Sequence, residues 1–219
     1  MMPTRAKSPS RRSNPPSTTV SIAAHTLRNR AFSLAELLVV ALILVFLAVL
    51  TGTQLTTSSR NRQVAACSDN LQKIYIALTL YRADNGACPF VTGAEKSAEP
   101  LSLLVPKCTT ETGMFICPAS DDRPLSQSVR FSGRRISYCY YMGRPANDDP
   151  HDVLLSDWQV DTLPKKLGRP LFSSDGNRPG NNHGSSGGNL LLGGGAVEFS
   201  PPNANRDILF ASPVTLLAP

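Results

Sequence analysis

His183 is the side chain in this sequence most open to a chemical reading, yet its neighbours give it little to work with. It lies in Asn182-His183-Gly184-Ser185-Ser186-Gly187, a run of loop formers. No H-E-x-x-H zinc helix is present, and Gly184 to Gly187 lacks the fifth position of a G-x-S-x-G nucleophile elbow. His183 therefore reads as a structural, hydrogen-bonding histidine. The five cysteines, Cys67, Cys88, Cys108, Cys117 and Cys139, are odd in number. No two are spaced as C-x-x-C, so neither a zinc knuckle nor a thioredoxin-type site has support. Asp157, Asp161 and Asp175 are the carboxylates available to calcium, but no D-x-D pattern gathers them. Asp148, Asp149 and Asp152 form the densest acidic cluster and read as a solvated loop. The expectation is no catalytic residue, no metal ligand and no cofactor, with calcium the one cation left open. The chain does not read as an enzyme.

Glu36 is a carboxylate of another kind. It is the only charge between Ala31 and Gly52, and Leu37 to Leu50 is an unbroken apolar run of 14 residues. As a helix the 22 residues from Ala31 to Gly52 would span roughly 33 Å, against a bilayer core of about 30 Å. A buried core helix is disfavoured because nothing amphipathic shows within the run. A cleaved secretory signal is disfavoured because Val49-Leu50-Thr51-Gly52-Thr53 is a poor small-x-small exit. A retained membrane helix is the reading adopted. Alone, a carboxylate at its start would be favoured by the helix macrodipole.

Charge placement agrees. The net charge is +6, but Arg5, Lys7, Arg11, Arg12, Arg28 and Arg30 all precede residue 31, and the remainder carries 16 charges of each sign. The first 30 residues are rich in Ser, Pro, Thr and Arg and cannot bury apolar surface. By the positive-inside rule they face the cytoplasm, and the body lies across the membrane. A neutral body argues against nucleic acid, whose binding rests on phosphate neutralisation. Arg134-Arg135 and Lys165-Lys166 are only local clusters.

The elements that must position these groups follow from periodicity. Val64, Cys67, Leu71, Ile74, Leu78 and Tyr81 recur at spacings of 3 and 4, one helical stripe. Asn85-Gly86 supplies a left-handed stop, and Pro89 follows. A continuous helix is expected from Phe32 to Asp84. Beyond it, short apolar runs among Gly and Pro predict strands at Met114–Cys117, Ile136–Tyr141, Val153–Ser156, Leu171–Ser173, Asn189–Leu192 and Ala196–Phe199. Pro100–Val105 reads as a short helix, Asp175–Gly188 as a loop and Gly193-Gly194-Gly195 as a hairpin turn. The fold class is α+β. Its parts are a leader (1–31), a transmembrane helix (32–52), an amphipathic continuation (53–85) and a head with a small antiparallel sheet (86–219).

The junction Arg30-Ala31-Phe32-Ser33-Leu34-Ala35-Glu36-Leu37-Leu38 resembles the processing signal of the type IV pilin and type II secretion pseudopilin family. There a small residue precedes Phe, a polar residue, Leu, any residue and Glu, then an apolar helix. The resemblance implies cleavage between Ala31 and Phe32 by a membrane prepilin peptidase, N-methylation of Phe32, and a pilin-like fold. It implies that Glu36 meets a neighbouring subunit's terminal amine and sets assembly register. Ala31 replaces the usual Gly, and the 31-residue leader is long. Asn70-Leu71-Gln72-Lys73-Ile74, Asp84-Asn85-Gly86, Phe115-Ile116-Cys117-Pro118 and Ile136-Ser137-Tyr138 resemble the planctomycete and verrucomicrobial type. So does His183 to Gly194, similar to an H-x9-D-G signature in which Gly193 stands where the Asp would be. That Asp's role is therefore not carried over.

The implied protein is an inner-membrane pseudopilin with a cytoplasmic N-terminus and a periplasmic head. Its implied partners are prepilin peptidase, sister subunits and the secretion platform, in a type II secretion or pilus-like system for protein transport, with no nucleic acid. Two other classes stay open: a membrane-tethered periplasmic binding or hydrolytic domain, and a minor pilin for DNA uptake. In an oxidising compartment disulfides persist. Cys108 and Cys117, nine apart across a turn, are the favoured pair, with Cys88 and Cys139 a second, and Cys67 reads as a buried free thiol on the helix stripe. Sequence alone leaves the connectivity open.

Overall fold

The computed structural model describes residues 33–145 and 149–219, without the side chains of residues 50–57. The leader, Ala31, Phe32 and Asp148 therefore lie outside the described residues. The chain divides into two compact units, Met1–Leu47 and Ala48–Pro219. Helix α1, Leu34–Asn85, is a single element of 52 residues. It ends where expected: Gly86 takes φ +73° and its N–H bonds the Arg82 carbonyl at 2.8 Å.

In the first unit, every large apolar side chain described is exposed. Values run from 49% at Leu47 to 83% at Leu34. Among the described residues no helix is long and apolar enough to cross a membrane. The unbroken apolar run with described side chains, Leu37 to Val49, is 13 residues long, short of the roughly 20 that a bilayer needs.

The second unit is an α+β body. Five strands, β1 Tyr138–Met142, β2 Val153–Asp157, β3 Gly188–Leu192, β4 Val197–Ser200 and β5 Thr215–Leu217, form an antiparallel sheet in the order β4-β3-β2-β1-β5. The stripe on α1 covers one face. Cys67, Leu71, Ile74, Ala77 and Leu78 are buried, and Tyr81 packs beside them. Period-2 alternation then sorts β1 between two cores. Tyr138, Tyr140 and Met142 join the α1 side. Cys139 and Tyr141 join Leu171, Phe172, Leu190, Leu192, Ile208 and Leu216 on the other. Among the described residues, the second face is covered by irregular chain and by no other sheet.

That second layer explains one missed strand. Leu171 and Phe172 are buried, yet their N–H groups both reach the Pro202 carbonyl, at 2.7 and 2.8 Å. Pro201 and Pro202 have no N–H to return, so no ladder can grow there. Met114–Cys117 is likewise not a strand: a 3-10 turn occupies Thr112–Phe115. The helix expected at Pro100–Val105 is split into α2, Ala98–Leu101, and a 3-10 turn, Ser102–Leu104. β5 was not foreseen. It has three residues, lies between Pro213 and Pro219, and pairs Leu217 with Tyr140. The β3–β4 hairpin turns through Gly193–Gly195 as expected, with Gly195 at φ +90°. A Cβ on Gly195 would come within 2.6 Å of the Tyr75 ring. Tyr75 in turn donates its hydroxyl to the Gly193 carbonyl at 3.3 Å. The glycines thus let the hairpin close against α1.

Candidate functional site

Two places in the chain concentrate polar groups where packing alone would not put them. The first is the start of α1. Ser33 donates its N–H to Glu36 Oε2 at 2.9 Å, and Glu36 donates its N–H to Ser33 Oγ at 3.2 Å. This reciprocal pair is a capping box, which satisfies two N–H groups that a helix start otherwise leaves bare. Glu36 is therefore a helix cap. A carboxylate has about four acceptor positions, so one cap bond leaves it free to take a further donor. Ala31 and Phe32, the expected cleavage pair, lie outside the described residues.

The second place is buried between α1 and the sheet. Asp157 ends β2 with no exposed surface, as a charge that must find partners. Its Oδ1 accepts Asn182 Nδ2 at 3.1 Å. Its Oδ2 accepts the Asn189 N–H at 2.7 Å and faces His183 Nε2 at 3.1 Å. A carboxylate only accepts, so Nε2 carries the proton in this arrangement. The same Nε2 lies 3.8 Å from Cys117 Sγ. Cys117 is bonded to Cys67 of α1. Metal-ligand atoms of Cys67, Cys117, Asp157 and His183 all fall within 4.8 Å of one another, and all four residues are buried.

This disulfide corrects the expected pairing. Cys108 is free, so Cys108–Cys117 does not form, and Cys67 is not a free thiol. Cys88 and Cys139 are also free and buried. The cause is the turn Thr112–Phe115, which drops Cys117 under α1. Ser137 holds it there: its N–H reaches the Phe115 carbonyl at 3.0 Å, and its Oγ accepts the Cys117 N–H at 2.9 Å. Asn70 adds a bond from α1 to the Ile116 carbonyl at 3.1 Å.

The cluster is not built as a nucleophilic relay. In such a relay the nucleophile and the acid occupy opposite ring nitrogens. Here both meet Nε2, while Nδ1 is buried without a partner among the described residues. His183 is buried and meets Asp157 through Nε2. Nearby, burial first and the Asp157 charge second push the Tyr138 phenol far above its usual range, so it stays neutral.

The remaining candidates scatter. His183 and Gly193 lie beyond opposite ends of β3, whose five residues span roughly 16 Å, so they share no ligand. Gly193 and Gly194 instead donate their N–H groups to the carbonyls of Asp152 and Pro150, both at 2.8 Å. A Cβ on Gly193 would sit 3.0 Å from the Asp149 carbonyl oxygen. The calcium candidates do not converge. Asp157 is in the buried cluster, Asp161 pairs with Lys165, and Asp175 caps its own turn through Asn177 and Ser173. Arg135 stacks on Trp158 at 4.4 Å and pairs with Asp122 at 3.0 Å, which spends part of the Arg134-Arg135 charge internally. A groove of about 530 Å³ between α1 and β3–β4 includes Arg60, Val64, Ser68, Asn189 and Phe199. Its described lining has no carboxylate, His or Cys.

Sequence reading missed the convergence of Asp157 with Cys67, Cys117 and His183. One signal was present: Val153-Leu154-Leu155-Ser156-Asp157 is an apolar strand that ends on an acid, and a buried strand end needs partners for it. Comparison with protein-family models, with characterised proteins and with solved structures returns no match.

Proposed function

We propose that this chain is a pseudopilin, a prepilin-like subunit with a pilin-like fold, held in the bacterial inner membrane. Prepilin peptidase cuts it between Ala31 and Phe32, and Phe32 is N-methylated. The mature chain joins sister subunits on an inner-membrane platform of a type II secretion or type IV pilus-like system that serves protein secretion. It works by assembly and is an enzyme's substrate.

The observation that carries this reading is the start of α1. Its apolar side chains are exposed all round, from Leu34 to Val49. A helix apolar on every side needs lipid or other helices around it. The Ser33–Glu36 box fixes where that helix begins. A charge at the head of such a helix is costly in lipid, and a sister subunit's amine offsets the cost only at one axial register.

Capping and register can be separated by mutation. Gln keeps the capping box but removes the charge. Glu36→Gln is expected to retain membrane insertion and the capped helix while filament incorporation falls at least about tenfold, the equivalent of ~1.4 kcal/mol. Incorporation equal to wild type would remove the register role. N-terminal peptide mass analysis should find methylated Phe32, whereas a terminus near Thr51 would overturn the pilin reading.

A further inference from the structure

The buried cluster around Asp157 has a geometry that hydrogen bonding alone does not explain. A structural histidine spreads its two nitrogens over two partners. His183 directs one nitrogen at both Asp157 and Cys117, and its other nitrogen meets no partner among the described residues. Four side chains of metal-binding type thus face one point from α1, the segment after the Thr112–Phe115 turn, the end of β2 and the loop before β3. None is exposed to solvent.

We propose that, before the Cys67–Cys117 disulfide closes, the reduced chain binds one divalent ion of the zinc class through Cys67, Cys117, His183 and Asp157. Two thiolates, an imidazole and a carboxylate are a zinc-type donor set. With metal bonds of about 2.3 Å to sulfur and 2.0–2.1 Å to nitrogen or oxygen, tetrahedral edges run from roughly 3.3 to 3.8 Å. The Cys117–His183 distance of 3.8 Å and the His183–Asp157 distance of 3.1 Å already lie close to such edges. The two bonded sulfurs must separate, their Cα atoms being 5.4 Å apart, and no other pair of ligand atoms starts beyond 4.8 Å. Asn182 and the Asn189 N–H hold the carboxylate as outer-shell donors. On metal binding the Nε2 proton moves to Nδ1, which has no acceptor among the described residues, so the imidazole is a weaker ligand than one backed by a carboxylate.

The chemistry balances. The chain is synthesised with thiols, so no reductant is required. Two thiols lose their protons to solvent as the metal binds. Closure needs an oxidant of the disulfide-carrier class: its S–S bond accepts two electrons and two protons and becomes two thiols. The Cys67 and Cys117 sulfurs then bond to each other, and the ion leaves as a free dication. Metal and disulfide are alternative clamps on the same junction. This inference does not depend on the filament reading.

The test uses the full chain in detergent, reduced by a phosphine without oxygen and titrated with Co²⁺. The expected result is one Co²⁺ per chain, with the intense visible bands of tetrahedral, sulfur-bound cobalt, displaced by Zn²⁺ and absent from the oxidised chain. His183→Ala and Asp157→Asn should each weaken binding at least about tenfold. Bands that persist in the Cys67→Ser/Cys117→Ser double variant would assign the metal to Cys88, Cys108 or Cys139 and overturn the proposal. So would equal binding by oxidised and reduced wild type, or none by either. The wild-type comparison needs no variant to fold.

Discussion

The two parts of α1 obey the same helical geometry and differ in what their side chains meet. From Leu34 to Val49 apolar residues occupy every side and are exposed. From Val64 to Tyr81 a stripe of them is buried under β1, β2 and β3, while Ile76 and Leu80 stand exposed off it. A full apolar surface has no preferred direction, so it suits lipid or a ring of like helices. A stripe has one direction and specifies one partner. The difference separates a surface that the chain buries by itself from one that is left exposed.

The largest test of that contrast is truncation on each side of it. Leu71→Ala removes a buried side chain and should cost about 2–5 kcal/mol in chemical unfolding of the head. Leu44, 60% exposed, should change head stability by less than about 0.5 kcal/mol when truncated to Ala. Similar losses at the two positions would mean that the apolar start has a hidden partner within the chain.

The disulfide sharpens the same boundary. Cys67 is on the stripe and closes a loop of 50 residues with Cys117. Cys67→Ser in the oxidised protein should cost about 2–4 kcal/mol by the loop-closure argument, read as a lower denaturation midpoint. A shift within error would mean that the stripe holds the junction unaided.

Thiol reactivity gives the smallest effect. Cys139 lies between sheet and covering layer, and burial, only partly offset by the Gln159 N–H, pushes its thiol up to about 12. At pH 8 its ionised fraction is about one in ten thousand, against roughly a quarter for a free cysteine. Burial also raises Cys88. Cys108 is partly exposed, with its thiol raised by burial first and by Asp84 next. Alkylation of the folded protein at pH 8 should therefore mark Cys108 first and Cys139 last, by peptide mass. Early labelling of Cys139 would mean that the outer covering opens readily.

What was legible in the sequence is what one element decides by itself. The stripe on α1, its stop at Gly86 and the hairpin at Gly193–Gly195 rest on local spacing, and all three stand. The disulfide partner was not legible, because it depends on how the chain folds beneath α1 after Thr112. The strand expected at Leu171–Ser173 failed because burial was right but the facing Pro201-Pro202 could not pair. β5 was missed because three residues between two prolines carry almost no periodic signal. The buried cluster draws one residue from each of four segments, so no spacing could announce it.

Both borders of the sheet are short and lie next to proline. β5 is bracketed by Pro213 and Pro219, and β4 runs directly into Pro201-Pro202. An open strand edge is a template for any other extended chain, and crowding makes the encounter frequent. Short edges bounded by proline give such a chain few N–H groups to continue a ladder. If copies assemble through their apolar helices as proposed, the heads can touch without fusing into one aggregated sheet.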